Sequence, residues 1–140
     1  MENINKPKIK IGISLFTDKE ATKMMEEITR LLEISPTSCS LKGEPRLNAK
    51  SAYHTCSTWS YTTDYVYSFH LEDVVNMFLN IFEDKVNSIN FLKGKYQMDA
   101  FIDVCIVFAD EEIPSMLLDR SFINFANNID AAIDIDCYKK

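Results

Sequence analysis

The stretch KIKIGISLF, residues 8–16, decides how this chain folds. Ile9, Ile11, Ile13 and Leu15 fall on one side of an extended backbone, and Lys10, Gly12, Ser14 and Phe16 on the other. Such alternation marks a strand with one buried face. An apolar face needs a cover, and the next segment supplies one. Met24, Met25, Ile28, Leu31 and Leu32 recur at helical spacing, which predicts an amphipathic helix to about Glu33. Thr17, with Glu20 three positions on, reads as a capping box at its start. Ser35-Pro36 sets its limit, because the residue before proline avoids the α region.

The same reading extends down the chain. Residues 53–63, YHTCSTWSYTT, are rich in β-branched and aromatic side chains and predict a strand with Tyr53, Thr55, Ser57, Trp59 and Tyr61 on one face. A second helix is expected from about His70 to Leu92, striped by Leu71, Val74, Val75, Phe78, Phe82, Val86 and Ile89, with Gly94 as its stop. Residues 97–109, QMDAFIDVCIVFA, read as a central strand that is covered on both sides or nearly fully buried. Pro114 is expected to open a third helix, lined by Leu117, Leu118, Phe122, Phe125, Ala126 and Ile129. The last strand, AAIDIDCYK, turns Ile133, Ile135 and Cys137 inward and Asp134, Asp136 and Tyr138 outward. The expected fold is α+β (or α/β): a four-stranded sheet with three helices in the order β-α-β-α-β-α-β. The β-α-β at each end hints at a duplication. Residues 1–140 form one domain on this reading, with an irregular loop at 35–52.

Composition narrows the function. The net charge of −6 argues against unspecific binding to nucleic acid or an anionic membrane, both of which reward clustered Lys and Arg. The aromatic residues of 53–65 lack the interleaved cations of a base-stacking platform. No window approaches the roughly 20 apolar residues of a membrane span. The polar start MENINKPKIK carries no export signal, and the four cysteines form no CxxC pair, so a reducing cytoplasm is expected.

Three groups of residues could carry chemistry. Cys39, His54 and Cys56 suit zinc by residue type but not by spacing, so neither metal nor cofactor is expected. Cys56 and His54 share strand parity, which permits a Cys–His dyad but gives it no orienting third group. Asp134 and Asp136 share one face of the last strand, where Asp103 could join them, and Asp110, Glu111 and Glu112 add further charge. Such acids could serve as acid and base or hold a hard cation, although strand alternation by itself produces a solvated acidic face; a third reading is that they meet a basic protein partner. Three glycines and the lone pair Lys42-Gly43 make no phosphate loop.

Four further features come in a telling order: LLEISPT at 31–37, LKGE at 41–44, Trp59 between polar neighbours, and IDIDCY at 133–138. Together they resemble the bacterial family named domain of unknown function 4279, along nearly the whole chain. The resemblance implies a small cytosolic α/β protein, and an immunity role against a toxin. The leading expectation is a non-enzymatic interaction module that binds a basic toxin domain through Asp134 and Asp136. The alternative is a small-molecule or enzymatic site at the 35–52 loop, lined by Lys42, Arg46, His54 and Trp59. A homodimer through a sheet edge is the third reading.

Overall fold

The computed structural model describes residues 5–20, 23–47 and 52–140. Strand β1 (Lys8–Thr17) is followed by helix α1 (Met24–Leu32), then the strands β2 (Ser38–Ser40), β3 (Ser57–Thr62) and β4 (Val66–Tyr67). Helices α2 (Leu71–Phe82) and α3 (Val86–Tyr96) are joined end to end by a 3-10 turn. Strand β5 (Asp99–Phe108), helix α4 (Arg120–Asn128) and strand β6 (Ala131–Lys139) complete the order.

The sheet is six-stranded and mixed, not four-stranded. Its main order is β2-β3-β1-β5-β6, and β4 pairs with the start of β1 beyond the end of β3. Every pairing is antiparallel except β5 with β6, whose parallel alignment requires the α4 crossover between them. The suggested duplication fails on this point. The first β-α-β closes on an antiparallel pair and the last on a parallel one.

The alternation of residues 8–16 is realised as read. Ile9, Ile11, Ile13 and Leu15 are fully buried, across from Ile106, Val104, Ile102 and Ala100 of β5. The helices close over this face. Met24, Ile28 and Leu32 come from α1; Phe78 and Phe82 stack at 4.8 Å on α2, and Phe122 and Phe125 of α4 meet Phe78 edge-on. β5 is covered on one side only: Ala100, Ile102, Val104 and Ile106 are buried, while Phe101, Asp103, Cys105 and Val107 are half-exposed.

Helix boundaries differ from those the periodicity suggests, for identifiable reasons. α1 begins at Met24, and Thr17 ends β1 instead of capping it, donating its hydroxyl to the Tyr96 carbonyl at 2.9 Å. Residues 21–22 lie outside the described part. α3 runs through Gly94, and Gln97, at φ 53°, ends it in the left-handed region. Pro114 opens no helix. Its neighbour Ser115 bridges to the chain at Phe69–His70, and α4 starts six residues later, where the Asp119 carboxylate accepts the Phe122 N–H at 3.1 Å. That is an N-cap, which satisfies a donor left orphaned by the first turn.

Candidate functional site

Among the described residues all helices lie on one face of the sheet, and the opposite face lies open. Cross-strand register decides which side chains stand together there. Lys8, Lys10, Gly12, Ser14 and Phe16 of β1 lie across from Val107, Cys105, Asp103, Phe101 and Asp99 of β5. Asp103, Cys105 and Val107 lie beside Asp134, Asp136 and Tyr138 of β6. Thr62, Ser60 and Thr58 of β3 continue the face on the other side of β1. The face is therefore hydroxylic at one end, cationic in the middle and acidic at the β6 end.

The acidic end is the most tightly organised part. Asp134 and Asp136 are exposed, and Asp103 is half-buried between β1 and β6. Desolvation pushes the Asp103 carboxyl above its ordinary value; Lys10 pulls it down, and Asp134 and Asp136 add to the rise. Gly12 makes the space for this arrangement. A Cβ there would stand 2.7 Å from Thr62 Oγ1 and 3.0 Å from Asp103 Oδ1, so only glycine lets the two side chains close over the strand. Beside them, the Tyr65 ring takes the Lys8 and Lys10 ammonium groups at 4.5 and 4.7 Å, and its hydroxyl lies 3.6 Å from Cys105 Sγ. Such contacts hold flexible lysine stems against the sheet.

Two of the three other acids expected to join this surface, Asp110 and Glu112, are already engaged. Asp110 pairs with Lys139 at 2.7 Å. Glu112 is buried, pairs with Lys140 at 2.9 Å and accepts the Ala109 N–H at 3.0 Å. The lysine first, then the amide, hold its carboxyl below its ordinary range. Glu111 is exposed.

The 35–52 loop resolves into β2 and a hairpin-like turn. Gly43 adopts φ 89°, and Arg46 and His54 exchange backbone hydrogen bonds with Ala52, Glu44 and Gly43. Lys50 and its neighbours at 48–51 lie outside the described residues. A groove of about 540 Å³ runs along the turn, lined by Ser38, Cys39, Ser40, Arg46, Leu47, Ala52 and His54. Arg46 and His54 therefore line the same groove. Lys42 is exposed away from the lining, with its N–H bonded to Ser57 Oγ.

Trp59 does not belong to that groove. It is fully buried on the core face, across from Leu15, and its indole N–H donates to Thr29 Oγ1 of α1 at 3.1 Å. The parity that groups Trp59 with Ser57 and Tyr61 is correct, but that face packs under α1 and is not a ligand wall.

The Cys–His dyad is also separated. His54 lines the turn groove, whereas Cys56 lines a different one with Phe16, Thr17, Asp18, Gln97 and Asp99. Desolvation pushes the Cys39 thiol above its ordinary value, which keeps it protonated and a poor nucleophile. His70 stands apart at the start of α2. Among the described residues no three His, Cys, Asp or Glu side chains converge on a metal position.

These features define a two-layer α+β domain, with helices on one face of a mixed sheet and a charged, uncovered face on the other. The chain belongs to the family described as domain of unknown function (DUF4279), whose model matches residues 7–140. No curated protein and no solved structure matches it. Among the described residues no helix is long and apolar enough to cross a membrane.

Proposed function

We propose that this protein is a non-enzymatic binding module that engages a basic protein domain through the acidic end of its open sheet face. One observation carries the reading. Asp103, Asp134 and Asp136 stand on adjacent strands of an uncovered face, and Asp103 is held there against its own desolvation. Like charges side by side on a sheet destabilise it. A cationic surface laid over them relieves that repulsion and gains in attraction, so the feature that weakens the free protein favours the complex. In biological terms the reading is an immunity-type role: occlusion of a basic, nuclease-type toxin. The four unpaired cysteines suit the reducing cytoplasm in which such a protein would act.

The test is titration calorimetry against a nuclease-type toxin domain from the same genome. Binding is expected to weaken with added salt and to fall by at least about tenfold in Asp134→Lys plus Asp136→Lys, because close charge pairs at interfaces couple by roughly 1.5 kcal/mol or more. Unchanged affinity in that variant removes the acidic face from the account.

The turn groove supports a second reading. Arg46 and His54 beside Ser38 and Ser40 offer hydrogen-bond donors to a small anion. Loss of an anion's binding in Arg46→Ala, with the toxin titration unaffected, would favour it.

A further inference from the structure

Among the described residues, strand β6 leaves its outer edge unpaired along nine residues, whereas β2, at the other end of the sheet, has only three. Long bare edges are normally blunted by proline, a bulge or a covering loop. None of these interrupts Ala131–Lys139; its guards are two carboxylates and one lysine. The direction of its free backbone groups is fixed by one hydrogen bond. The Lys140 N–H donates to the Phe108 carbonyl at 3.0 Å, so even-numbered residues of β6 point their backbone groups at β5. Those of Ile133, Ile135, Cys137 and Lys139 therefore point outward. On the helix side of the same edge, Ile135 is 38% exposed and Cys137 is exposed.

From these observations we infer that β6 is a docking edge for a second copy of this chain, paired antiparallel about a two-fold axis at Cys137. The carboxylates select the register. An axis at Asp134 or Asp136 sets that aspartate against itself. An axis at Ile135 sets Asp134 against Asp136 twice, and one at Ile133 sets Asp136 against Asp130. With the axis at Cys137, no carboxylate faces another: Asp136 meets Tyr138, Asp134 lies across from Lys140, whose ammonium is held by Glu112 of its own chain, and Ile135 lies along the stem of Lys139. Moving the axis on to Tyr138 also avoids the clash but shortens the ladder. The Cys137 axis also presents matching outward N–H and C=O groups at Cys137 itself and at Ile135 with Lys139 on either side. Cys137 then stands directly across from its own copy, at the roughly 5.5 Å Cα separation of a hydrogen-bonded antiparallel pair. That distance is within disulfide reach. The pairing does not depend on the toxin-binding reading and leaves the open faces of both copies on one side of a continuous sheet.

The experiment combines mass and cross-linking. Light scattering at roughly 100 µM, where small interfaces associate, is expected to report twice the chain mass of 16.1 kDa. Ile135→Pro removes an outward N–H and no β5–β6 hydrogen bond, so it is expected to give a monomer with unchanged circular dichroism. A variant with Cys39, Cys56 and Cys105 changed to Ser is expected to form a covalent dimer under copper-phenanthroline and air, through Cys137. One that retains only Cys39 is expected not to. A wild-type monomer, a dimer untouched by Ile135→Pro, or a dimer that Cys137 fails to cross-link each overturns the inference.

Discussion

The hydrogen bond between Trp59 and Thr29 allows a sharp test of how the helical layer is held to the sheet. Thr29→Val exchanges the hydroxyl for a methyl of nearly the same volume. Threonine and valine have similar helix propensities, so neither a cavity nor a weakened α1 confuses the result. What changes is the partner of the indole N–H, which is fully buried and 3.1 Å from the hydroxyl it would lose. A buried donor left without an acceptor costs about 1–3 kcal/mol. For a domain of this size each kcal/mol moves the melting temperature by about 4 °C, so Thr29→Val is expected to melt roughly 4–12 °C lower. Urea unfolding followed by circular dichroism gives the free energy independently of indole emission, which the substitution itself perturbs. Thr29→Ser keeps the oxygen and is expected to lie much closer to the parent. A Thr29→Val protein within about 0.3 kcal/mol of the parent would refute the reasoning, since surface-like substitutions show changes of that size.

Two further outcomes concern the open face. Asp103→Asn is expected to raise the melting temperature at pH 7, because the folded state holds this carboxyl above its ordinary value of 3.8 and ionising it there costs stability. The sign fixes the pH dependence: the parent recovers that stability as pH falls through the raised folded value toward 3.8, so the gap between the two proteins narrows in acid; a gap constant with pH contradicts it. Gly12→Ala is expected to cost about 1–3 kcal/mol in urea unfolding by forcing a Cβ against Thr62 and Asp103, and Thr62→Ala in the same chain is expected to restore part of it.

The core was legible because it depends on period alone. Residues 8–16, the helical stripe 71–89 and the alternation of 131–139 each repeat often enough to reveal which side is apolar. β2 and β4 were not legible. Ser-Cys-Ser and Val-Tyr are too short to show a period, and they are strands only because β3 and β1 offer them partners. α4 starts later than Pro114 suggests because proline at a helix start is a preference, whereas the Asp119 side chain makes an actual bond; an aspartate three residues before Phe122 is the available signal. At the candidate site, parity puts Asp134 and Asp136 on one face of β6, and pairing with β5 brings Asp103 beside them. The fate of Trp59 needed tertiary information. Its face was identified, but nothing in residues 53–63 says that α1 lies across that face. Likewise His54 and Cys56 share parity, yet the chain bends before β3 begins and sends them to separate grooves.

The position of β6 has a consequence for how the molecule opens. β1 is gripped by strands on both sides, but β6 is held chiefly by β5 and α4, and beyond Ile133 its side chains are exposed. Stability is not uniform within a domain, and segments with few buried contacts detach at lower free energy than the whole. The end of the sheet that carries Asp134 and Asp136 is therefore the piece the protein can release while the Phe78 cluster and β1 stay intact. Hydrogen exchange will divide β6 by parity. Amides of even-numbered residues, bonded to β5, report the detachment of the strand. Those of Ile133, Ile135 and Cys137 have no such bond and exchange fast until another backbone takes them up.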